Sequence, residues 1–342
     1  MKVLLVKTSS MGDLLHAMPA ITEAASHLPK ARFTWVVEEA FADIAALHPN
    51  VEQVIPVAIR RWRKNWIGAS RELSAFVAWL RATKYDLIID SQGLLKSSLI
   101  ARAAQGPVHG FDRRSARESL SAFLYHNKHR VDREQHAVHR QKQLFAGVFG
   151  YIADREINYG LERSLAIPAK SIMLLHGTTW ASKEWPGAQW TALAQLMNRQ
   201  GYEVIVPSGS EMEYERAQHI LGNASGRILD RVPLSDLIQE LRHCTGVVSV
   251  DTGLGHLAAA LGIPVAGLYG STDPNLTGIL GPATRLIVSD HLPCIPCRSR
   301  DCRYPNTGDS SNIFPPCYEQ TTPETVWQAL RLQIGSQDKK LD

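Results

Sequence analysis

Short runs of aliphatic and β-branched residues alternate with amphipathic stretches along most of the chain. The runs with strand character are residues 3–7, 33–37, 51–57, 87–90, 172–176, 204–207, 247–250 and 265–269. After the first run, apolar residues return at a helical spacing at Leu14, Leu15, Met18, Ile21 and Ala25. Strands that alternate with helices of this length predict an α/β fold with parallel sheets.

The alternation lapses once, in a mixed polar stretch, and then starts again. We therefore predict a first domain of residues 1–155, a linker of residues 156–170, a second domain of residues 171–322, and a final helix and tail of residues 323–342. A chain of 342 residues is long enough for two cores. Two doubly wound domains would bind ligands at the carboxyl ends of their strands, across a shared cleft.

Composition is that of an ordinary globular protein, with 44% hydrophobic and 20% charged residues. The N-terminus runs straight from Met1 into a strand and a turn, without a secretory signal, and no apolar run approaches the ~18 residues that a membrane span needs. We therefore expect a cytoplasmic protein whose five cysteines are reduced thiols or metal ligands.

The net charge is only +4, but the basic residues are clustered. One cluster reads Arg60-Arg61-Trp62-Arg63-Lys64, and a second is spread over residues 113–130. Both clusters lie in the first half of the chain. That half is the better candidate for binding an anionic partner.

A small polar turn separates the first predicted strand from the first predicted helix, and Asp13 follows this turn. The structural interpretation is that Asp13 caps the helix, because Asp accepts hydrogen bonds from first-turn amides. The functional interpretation is that Asp13 is a general base at the carboxyl end of a strand. The two roles are compatible, and position alone favours the cap.

A second strand, turn and helix start surround Asp251, Thr252 and Gly253. Backbone amides and hydroxyls at such a turn suit a phosphate group. The spacing Gly253-x-Gly255-x-x-Ala258 also matches a dinucleotide fingerprint, with Asp273 near the position of a ribose-binding acid. An NAD-dependent oxidoreductase is therefore an alternative, weakened because the first turn of the chain lacks this pattern.

A third cluster follows the strand at residues 172–176 and contains Thr178, Thr179 and Lys183. Hydroxyls and a lysine after a strand suit a diphosphate, with the lysine neutralising charge on a leaving group. Taken alone, a solvated surface loop explains these residues as well.

Six stretches of the chain read VKTSSMGD, WVVEE, VIPVAIRRWRK, QGLLKS, QHAV and SVDTGL, at residues 6–13, 35–39, 54–64, 92–97, 135–138 and 249–254. In this order and at this spacing they resemble the lipopolysaccharide heptosyltransferases of glycosyltransferase family 9, and among them the heptosyltransferase I group. The RRWRK block is the most discriminating of the six.

The resemblance implies a GT-B architecture of two Rossmann-like domains, with an acceptor-binding first domain and a sugar-nucleotide-binding second domain. It implies inverting transfer of L-glycero-D-manno-heptose from ADP-heptose to Kdo of Kdo2-lipid A, in contact with the inner-membrane surface. On this basis Asp13 is the catalytic base. The donor-binding positions are Thr178, Thr179, Lys183, Glu213, Asp251, Thr252, Gly253 and His256.

The anionic acceptor gives the basic first domain a chemical purpose. The candidate acceptor-binding residues are Arg60, Arg61, Arg63, Lys64, Lys96, Arg117 and His136. Trp62 either packs on the acceptor or anchors its own loop. An acceptor that already carries heptose stays open as an alternative, as does a protein that binds the nucleotide sugar without catalysis.

No cofactor is expected, because lysine, backbone amides and helix ends can hold the diphosphate. Cysteines at a C-x2-C-x4-C spacing, followed by a distant fourth, depart from the heptosyltransferase I pattern. These residues are Cys294, Cys297, Cys302 and Cys317. We predict no bound metal there and keep a structural zinc site as the less favoured alternative.

Overall fold

The computed structural model describes residues 1–65, 68–161, 169–304 and 313–338. It divides into two compact units, Met1–Leu161 and Glu162–Asp342. Each unit contains one six-stranded sheet in which all strands are parallel. Helices follow most of the strands, which is the arrangement that buries both faces of a parallel sheet.

The first sheet has the strand order β3-β2-β1-β4-β5-β6. Its strands are β1 (Lys2–Val6), β2 (Arg32–Glu38), β3 (Val51–Val57), β4 (Leu87–Asp90), β5 (Val108–Phe111) and β6 (Asn127–His129). Its helices are α1 (Met11–His27), α2 (Ala42–Ala46), α3 (Ile59–Trp62), α4 (Ser70–Ala82), α5 (Leu95–Ala103) and α6 (Ala137–Phe149). The direction of winding reverses between β1 and β4, so a crevice is expected at their carboxyl ends.

The second sheet has the strand order β12-β11-β10-β7-β8-β9. Its strands are β7 (Ala169–Leu175), β8 (Glu203–Ser208), β9 (Gly226–Asp230), β10 (Cys244–Val250), β11 (Val265–Tyr269) and β12 (Thr284–Val288). Its helices are α7 (Gly187–Arg199), α8 (Glu211–Leu221), α9 (Leu234–His243), α10 (Gly253–Ala260), α11 (Pro274–Thr277) and α12 (Pro323–Asp338). The winding reverses between β7 and β10.

The central strands of both sheets are apolar on both faces. Val3, Leu4, Leu5 and Val6 of β1 have no exposed surface, and Ile172 to Leu174 of β7 are buried as completely. Such strands read as continuous hydrophobic runs, which is why the sequence identifies them. Burial of these apolar side chains fixes the positions of the loops that leave each strand.

The final helix α12 packs on α7 and on β10, β11 and β12. It therefore completes the second unit, a point that the sequence left open. Its side chains Val326 and Leu330 are fully buried, and Trp327 lies against Tyr202 with ring centroids 5.4 Å apart. The helix is thus part of a core and not an appended tail.

The predicted α/β class with two doubly wound sheets is confirmed, and strands 51–57, 87–90 and 265–269 have the predicted bounds. Four strands were not predicted: β5, β6, β9 and β12. Three of these are edge strands and the fourth, β5, lies beside the edge strand β6. Edge strands bury less surface, so their residues are more polar and their pattern is weaker.

Part of the predicted linker, residues 156–170, lies outside the described residues, namely residues 162–168. Residues 305–312 and the last four residues of the predicted tail also lie outside them. Strand β7 begins at Ala169, inside the predicted linker. The predicted domain bounds otherwise stay predictions. In the described ranges, no helix combines the length and the apolar character that crossing a bilayer requires.

Candidate active site

Asp13 lies in the first turn of α1 and closes a capping box with Ser10. The Ser10 backbone N–H donates to Asp13 Oδ2 at 2.9 Å, and the Ser10 hydroxyl lies 3.1 Å from the same oxygen. Asp13 is thus the third residue of the helix. The N-cap position, which the sequence suggested for Asp13, is occupied by Ser10. Among the described residues nothing hydrogen bonds to Oδ1, so this half-buried carboxylate keeps one oxygen for a ligand.

Gln92 ties the loop after β4 to the loop after β1. Its Oε1 accepts hydrogen bonds from the Thr8 backbone N–H at 2.8 Å and from the Thr8 hydroxyl at 2.9 Å. Its Nε2 donates to the Ser9 carbonyl at 2.9 Å. The loop that leads to Asp13 is therefore held from the neighbouring strand, at the place where the winding of the sheet reverses.

Beneath Gln92 lies the fully buried Asp90. Asp90 Oδ1 accepts from the Gln92 backbone N–H at 2.9 Å, and Oδ2 accepts from the hydroxyls of Ser97 and Tyr125 at 2.8 and 2.7 Å. Burial raises the pKa of the Asp90 carboxyl. Asp90 organises the loop after β4 and does not itself reach solvent.

Lys7 is a buried cation next to this network that is not among the site residues predicted from the sequence. Its Nζ donates to the Ser91 carbonyl at 3.1 Å. Burial lowers the pKa of Lys7, while the charges of Asp13 and Asp90 oppose that shift. A lysine directly after a wholly apolar strand was the available signal, because a lysine is rarely buried without a charged or polar partner.

The predicted acceptor residues follow β3, β4, β5 and β6 at the carboxyl edge of the sheet, the edge at which α1 begins. Glu38, the last residue of β2, connects the loops that follow β1 and β3. Its backbone N–H donates to the Thr8 carbonyl at 3.0 Å, and its Oε1 accepts from the Arg60 backbone N–H at 2.9 Å. Lys96 Nζ lies 3.4 Å from the Ser9 hydroxyl. The side chain of Arg117 is exposed.

Within the basic block, Arg61 and Trp62 have partners in the protein. The Arg61 guanidinium forms ion pairs with Glu39 at 3.1 Å and with Glu72 at 2.8 Å. Trp62 donates from Nε1 to Glu72 at 2.9 Å and packs edge-on against Phe76. Trp62 is therefore an anchor of its own loop. Arg61 is exposed as well, but the exposed cations of this block that have no carboxylate partner among the described residues are Arg60, Arg63 and Lys64.

His136 is mostly buried and serves as the N-cap of α6. Its Nδ1 accepts from the Val138 backbone N–H at 3.2 Å, and its ring lies 5.6 Å from that of His16 in an edge-on arrangement. The structure gives His136 a clear structural role. Contact with the acceptor stays a prediction for this residue.

In the second unit, Lys183 and Asp251 form an ion pair at the equivalent reversal of winding. Lys183 follows β7, Asp251 follows β10, and their Nζ and Oδ2 atoms are 2.7 Å apart. His256 Nε2 lies 3.9 Å from Asp251 Oδ1. Burial disfavours the charged carboxylate, but His256 and the Lys183 ammonium outweigh it and lower the pKa of Asp251 to about 2.

Other predicted donor residues lie around this ion pair. Thr252 is the N-cap of α10 and Gly253 its first residue. Ser210 caps α8 by accepting from the Glu213 backbone N–H at 3.3 Å, and Glu213 Oε2 accepts from the Gly209 backbone N–H at 2.7 Å. A Cβ on Gly177 would lie 2.8 Å from Glu213 Oε1, so the loop that leads to Thr178 and Thr179 runs directly against Glu213.

The glycine spacing that suggested a dinucleotide site has a packing explanation. A Cβ on Gly255 would lie 2.4 Å from Ser249 Oγ and 2.7 Å from Ile279 Cδ1, so glycine lets α10 pack closely on its sheet. Asp273, the candidate ribose ligand, instead caps α11 and forms an ion pair with Arg298 at 2.9 Å. Neither residue requires a bound dinucleotide.

The four cysteines of the predicted alternative zinc site line one small cavity. Burial raises the pKa of the Cys317 thiol to about 12. In the part of the chain that the structure describes, no three His, Cys, Asp or Glu side chains are arranged to hold a metal ion. The four thiols thus line the same cavity, but they are not arranged as metal ligands. The zinc site stays an untested alternative.

This cysteine loop also supports the donor-site loop. The Ser182 backbone N–H donates to the Arg300 carbonyl at 3.0 Å, and the Tyr318 hydroxyl donates to the Lys183 carbonyl at 3.0 Å. The main chain on both sides of the Lys183 side chain is therefore fixed by residues from the cysteine-bearing segment.

Known proteins resemble this chain in sequence. The model of glycosyltransferase family 9 (heptosyltransferase) matches residues 74–307. Lipopolysaccharide heptosyltransferase 1 of Pseudomonas aeruginosa is 44% identical over 98% of each chain. The chain belongs to glycosyltransferase family 9. It is a glycosyltransferase, and the oxidoreductase alternative is therefore wrong.

Solved structures of this family have the same fold. The Escherichia coli heptosyltransferase WaaC with ADP has a TM-score of 0.85 at 37% identity, covering 97% of this chain and 100% of that chain. The same enzyme with ADP-2-deoxy-2-fluoro heptose has a TM-score of 0.80 at 38% identity, covering 96% and 98%. The predicted GT-B architecture of the glycosyltransferase is thereby confirmed.

The Lys183–Asp251 pair predicts a measurable titration. Replacing Lys183 with Met removes the ammonium that stabilises the ionised carboxylate, so the pKa of Asp251 should rise from about 2 toward its ordinary value of 3.8. Carboxyl NMR titration of selectively labelled protein measures this value. Lys170→Met, which removes a lysine beside Tyr202, is the matched control. An Asp251 pKa that stays near 2 in Lys183→Met would contradict the assignment.

Proposed function

We propose that this glycosyltransferase transfers L-glycero-D-manno-heptose from ADP-heptose to Kdo of Kdo2-lipid A, with inversion at the anomeric carbon. The observation that carries the proposal is the similarity to a heptosyltransferase 1 over 98% of both chains. Asp13, with one carboxylate oxygen available, supports the chemistry. The structures of the E. coli enzyme with ADP and with an ADP-heptose analogue support the donor.

The donor diphosphate would bind where α10 begins. The first turn of this helix offers backbone N–H groups at Gly253 and the positive end of the helix dipole. Lys183 supplies a positive charge that Asp251 holds in position. Thr178, Thr179 and Thr252 add hydroxyl groups, while Glu213 and His256 flank them. As ADP departs, these groups stabilise the negative charge that develops on it.

Asp13 would act as the general base. Its Oδ1 accepts the proton of the acceptor hydroxyl while the acceptor oxygen bonds to the anomeric carbon and the bond from that carbon to ADP breaks. The leaving ADP takes the bonding electron pair, and the proton remains on Asp13. The two hydrogen bonds from Ser10 to Oδ2 keep the carboxylate oriented during the step.

The acceptor carries carboxylate and phosphate groups that suit the basic edge of the first sheet. Arg60, Arg63, Lys64, Lys96 and Arg117 are exposed there and form charge-assisted hydrogen bonds with it in this proposal. Arg61 instead positions α3 through its two carboxylate partners. Because the acceptor is a lipid, the enzyme works in peripheral contact with the inner-membrane surface.

Asp13→Asn tests the base. The amide oxygen can still accept the cap hydrogen bonds from Ser10 but cannot take a proton, so turnover should fall by roughly 10²- to 10⁴-fold. ADP affinity measured by calorimetry should stay unchanged. Asp236→Asn is the matched control, since Asp236 also lies in the first turn of a helix. Turnover of Asp13→Asn within a few-fold of the wild type would refute the assignment.

A transfer assay tests the acceptor. Incubating Kdo2-lipid A with ADP-heptose and enzyme should add the mass of one heptose to the lipid. Lys96→Ala should raise the acceptor KM about tenfold, because one charge-assisted contact is lost, and leave the donor KM unchanged.

Lys84→Ala, at another exposed lysine of the first unit, serves as the control for Lys96→Ala. A mass gain that occurs only with an already heptosylated lipid would move the enzyme to a later step. Transfer to neither lipid would overturn the proposal.

A further inference from the structure

Four large apolar side chains are exposed on two neighbouring elements of the first unit. Leu95 and Leu99 are 38% and 60% exposed and lie four residues apart on α5, hence on one face. Leu120 and Phe123 are 58% and 62% exposed and lie three residues apart on the short 3₁₀ helix Ser119–Leu124, again on one face. α5 and this 3₁₀ helix pack on each other.

Single exposed apolar residues are normal on a protein surface, but a group of this kind indicates an interaction site. We call these four residues the apolar face. Among the described residues of this unit, the other exposed large apolar side chains are Met1, Ile152, and Leu73 and Trp79 of α4, a helix that also contacts α5. Six of these eight exposed apolar side chains therefore lie on one group of adjoining helices.

The segment that contains the apolar face is also strongly basic. Residues 95–130 contain seven Lys and Arg and two Asp and Glu, a net charge of +5, whereas the whole chain carries +4. The Arg113 guanidinium lies 5.1 Å from the centre of the Phe123 ring. Arg102 follows Leu99 by three residues on α5. Glu118 also lies in this segment, where its carboxylate accepts from the Leu95 backbone N–H.

The apolar face begins beside the candidate base. Leu95 is adjacent to Lys96, whose Nζ lies 3.4 Å from the hydroxyl of Ser9, the residue before the Ser10 cap. The same helix, α5, thus provides a cation at the candidate acceptor site and apolar side chains farther along. A lipid acceptor with a charged head group and acyl chains needs these two kinds of surface in continuity.

We propose that the apolar face docks on an anionic bilayer, with Leu95, Leu99, Leu120 and Phe123 inserted at the level of the head groups and the surrounding cations on anionic lipid. Apolar side chains flanked by Arg and Lys are the combination that binds membrane interfaces. The excess of positive charge favours an anionic membrane over a second copy of this basic segment, which it would repel. The inference rests on the proposed lipid acceptor for its purpose.

Vesicle sedimentation tests the face without donor or acceptor. Wild-type protein should bind vesicles of phosphatidylglycerol and phosphatidylethanolamine and release them at high salt. L99E/F123E should weaken binding at least about tenfold, because two inserting side chains become charged. The matched control is M212E/L332E, which makes the same change at side chains 73% and 61% exposed in the second unit, and it should bind like the wild type.

Transfer to a delipidated Kdo acceptor separates this inference from the proposed function. L99E/F123E should keep wild-type turnover on that acceptor, which also shows that it is folded, and lose turnover on vesicle-embedded lipid. The inference is overturned if L99E/F123E binds vesicles like the control, if the wild type binds none, or if the substitutions instead dissolve a dimer detected by light scattering. Vesicle binding without any heptose transfer would overturn the proposed function alone.

Discussion

Parallel strands open a crevice where neighbouring connections leave the sheet in opposite directions, and each sheet of this glycosyltransferase has one such place. In the first sheet it lies between β1 and β4, where Gln92 holds the loop that runs from Lys7 to Asp13. In the second sheet it lies between β7 and β10, where Lys183 meets Asp251. The chemistry of the enzyme depends on this constraint, because it brings together loops that are far apart in the sequence.

Local capping fixes the charged groups at both crevices. Ser10 and Asp13 close a capping box at the start of α1. At the start of α8, Ser210 caps the helix and Glu213 accepts from the Gly209 backbone N–H. In both places one carboxylate oxygen is held by hydrogen bonds from the turn. A side chain oriented in this way loses little further freedom when a ligand binds, so less binding energy is spent on ordering it.

The sequence predicted the parts that depend on local pattern. Apolar strands such as β1 and β7, the turn at Asp13 and the basic block at Arg60 to Lys64 all carry their signal within a few residues. What it could not predict depends on contacts across long separations. Gln92 reaches Thr8 over 84 residues, and Arg61 is neutralised by Glu39 and Glu72, so its availability to a ligand is decided by other segments.

The position of Asp13 also refines its proposed role. A helix cap needs a carboxylate oxygen that accepts hydrogen bonds from the turn, whereas a base needs an oxygen that can accept a proton. Oδ2 accepts the hydrogen bonds of the turn, and Oδ1 is the oxygen proposed as the base. With Asp13 as the base, the proposed reaction is a single displacement at the anomeric carbon, without a glycosyl-enzyme intermediate.

NMR determination of the anomeric configuration of the transferred heptose tests the single displacement most directly. We expect the product to have the opposite configuration to ADP-heptose. Retention of the donor configuration would contradict a single displacement with Asp13 as the base.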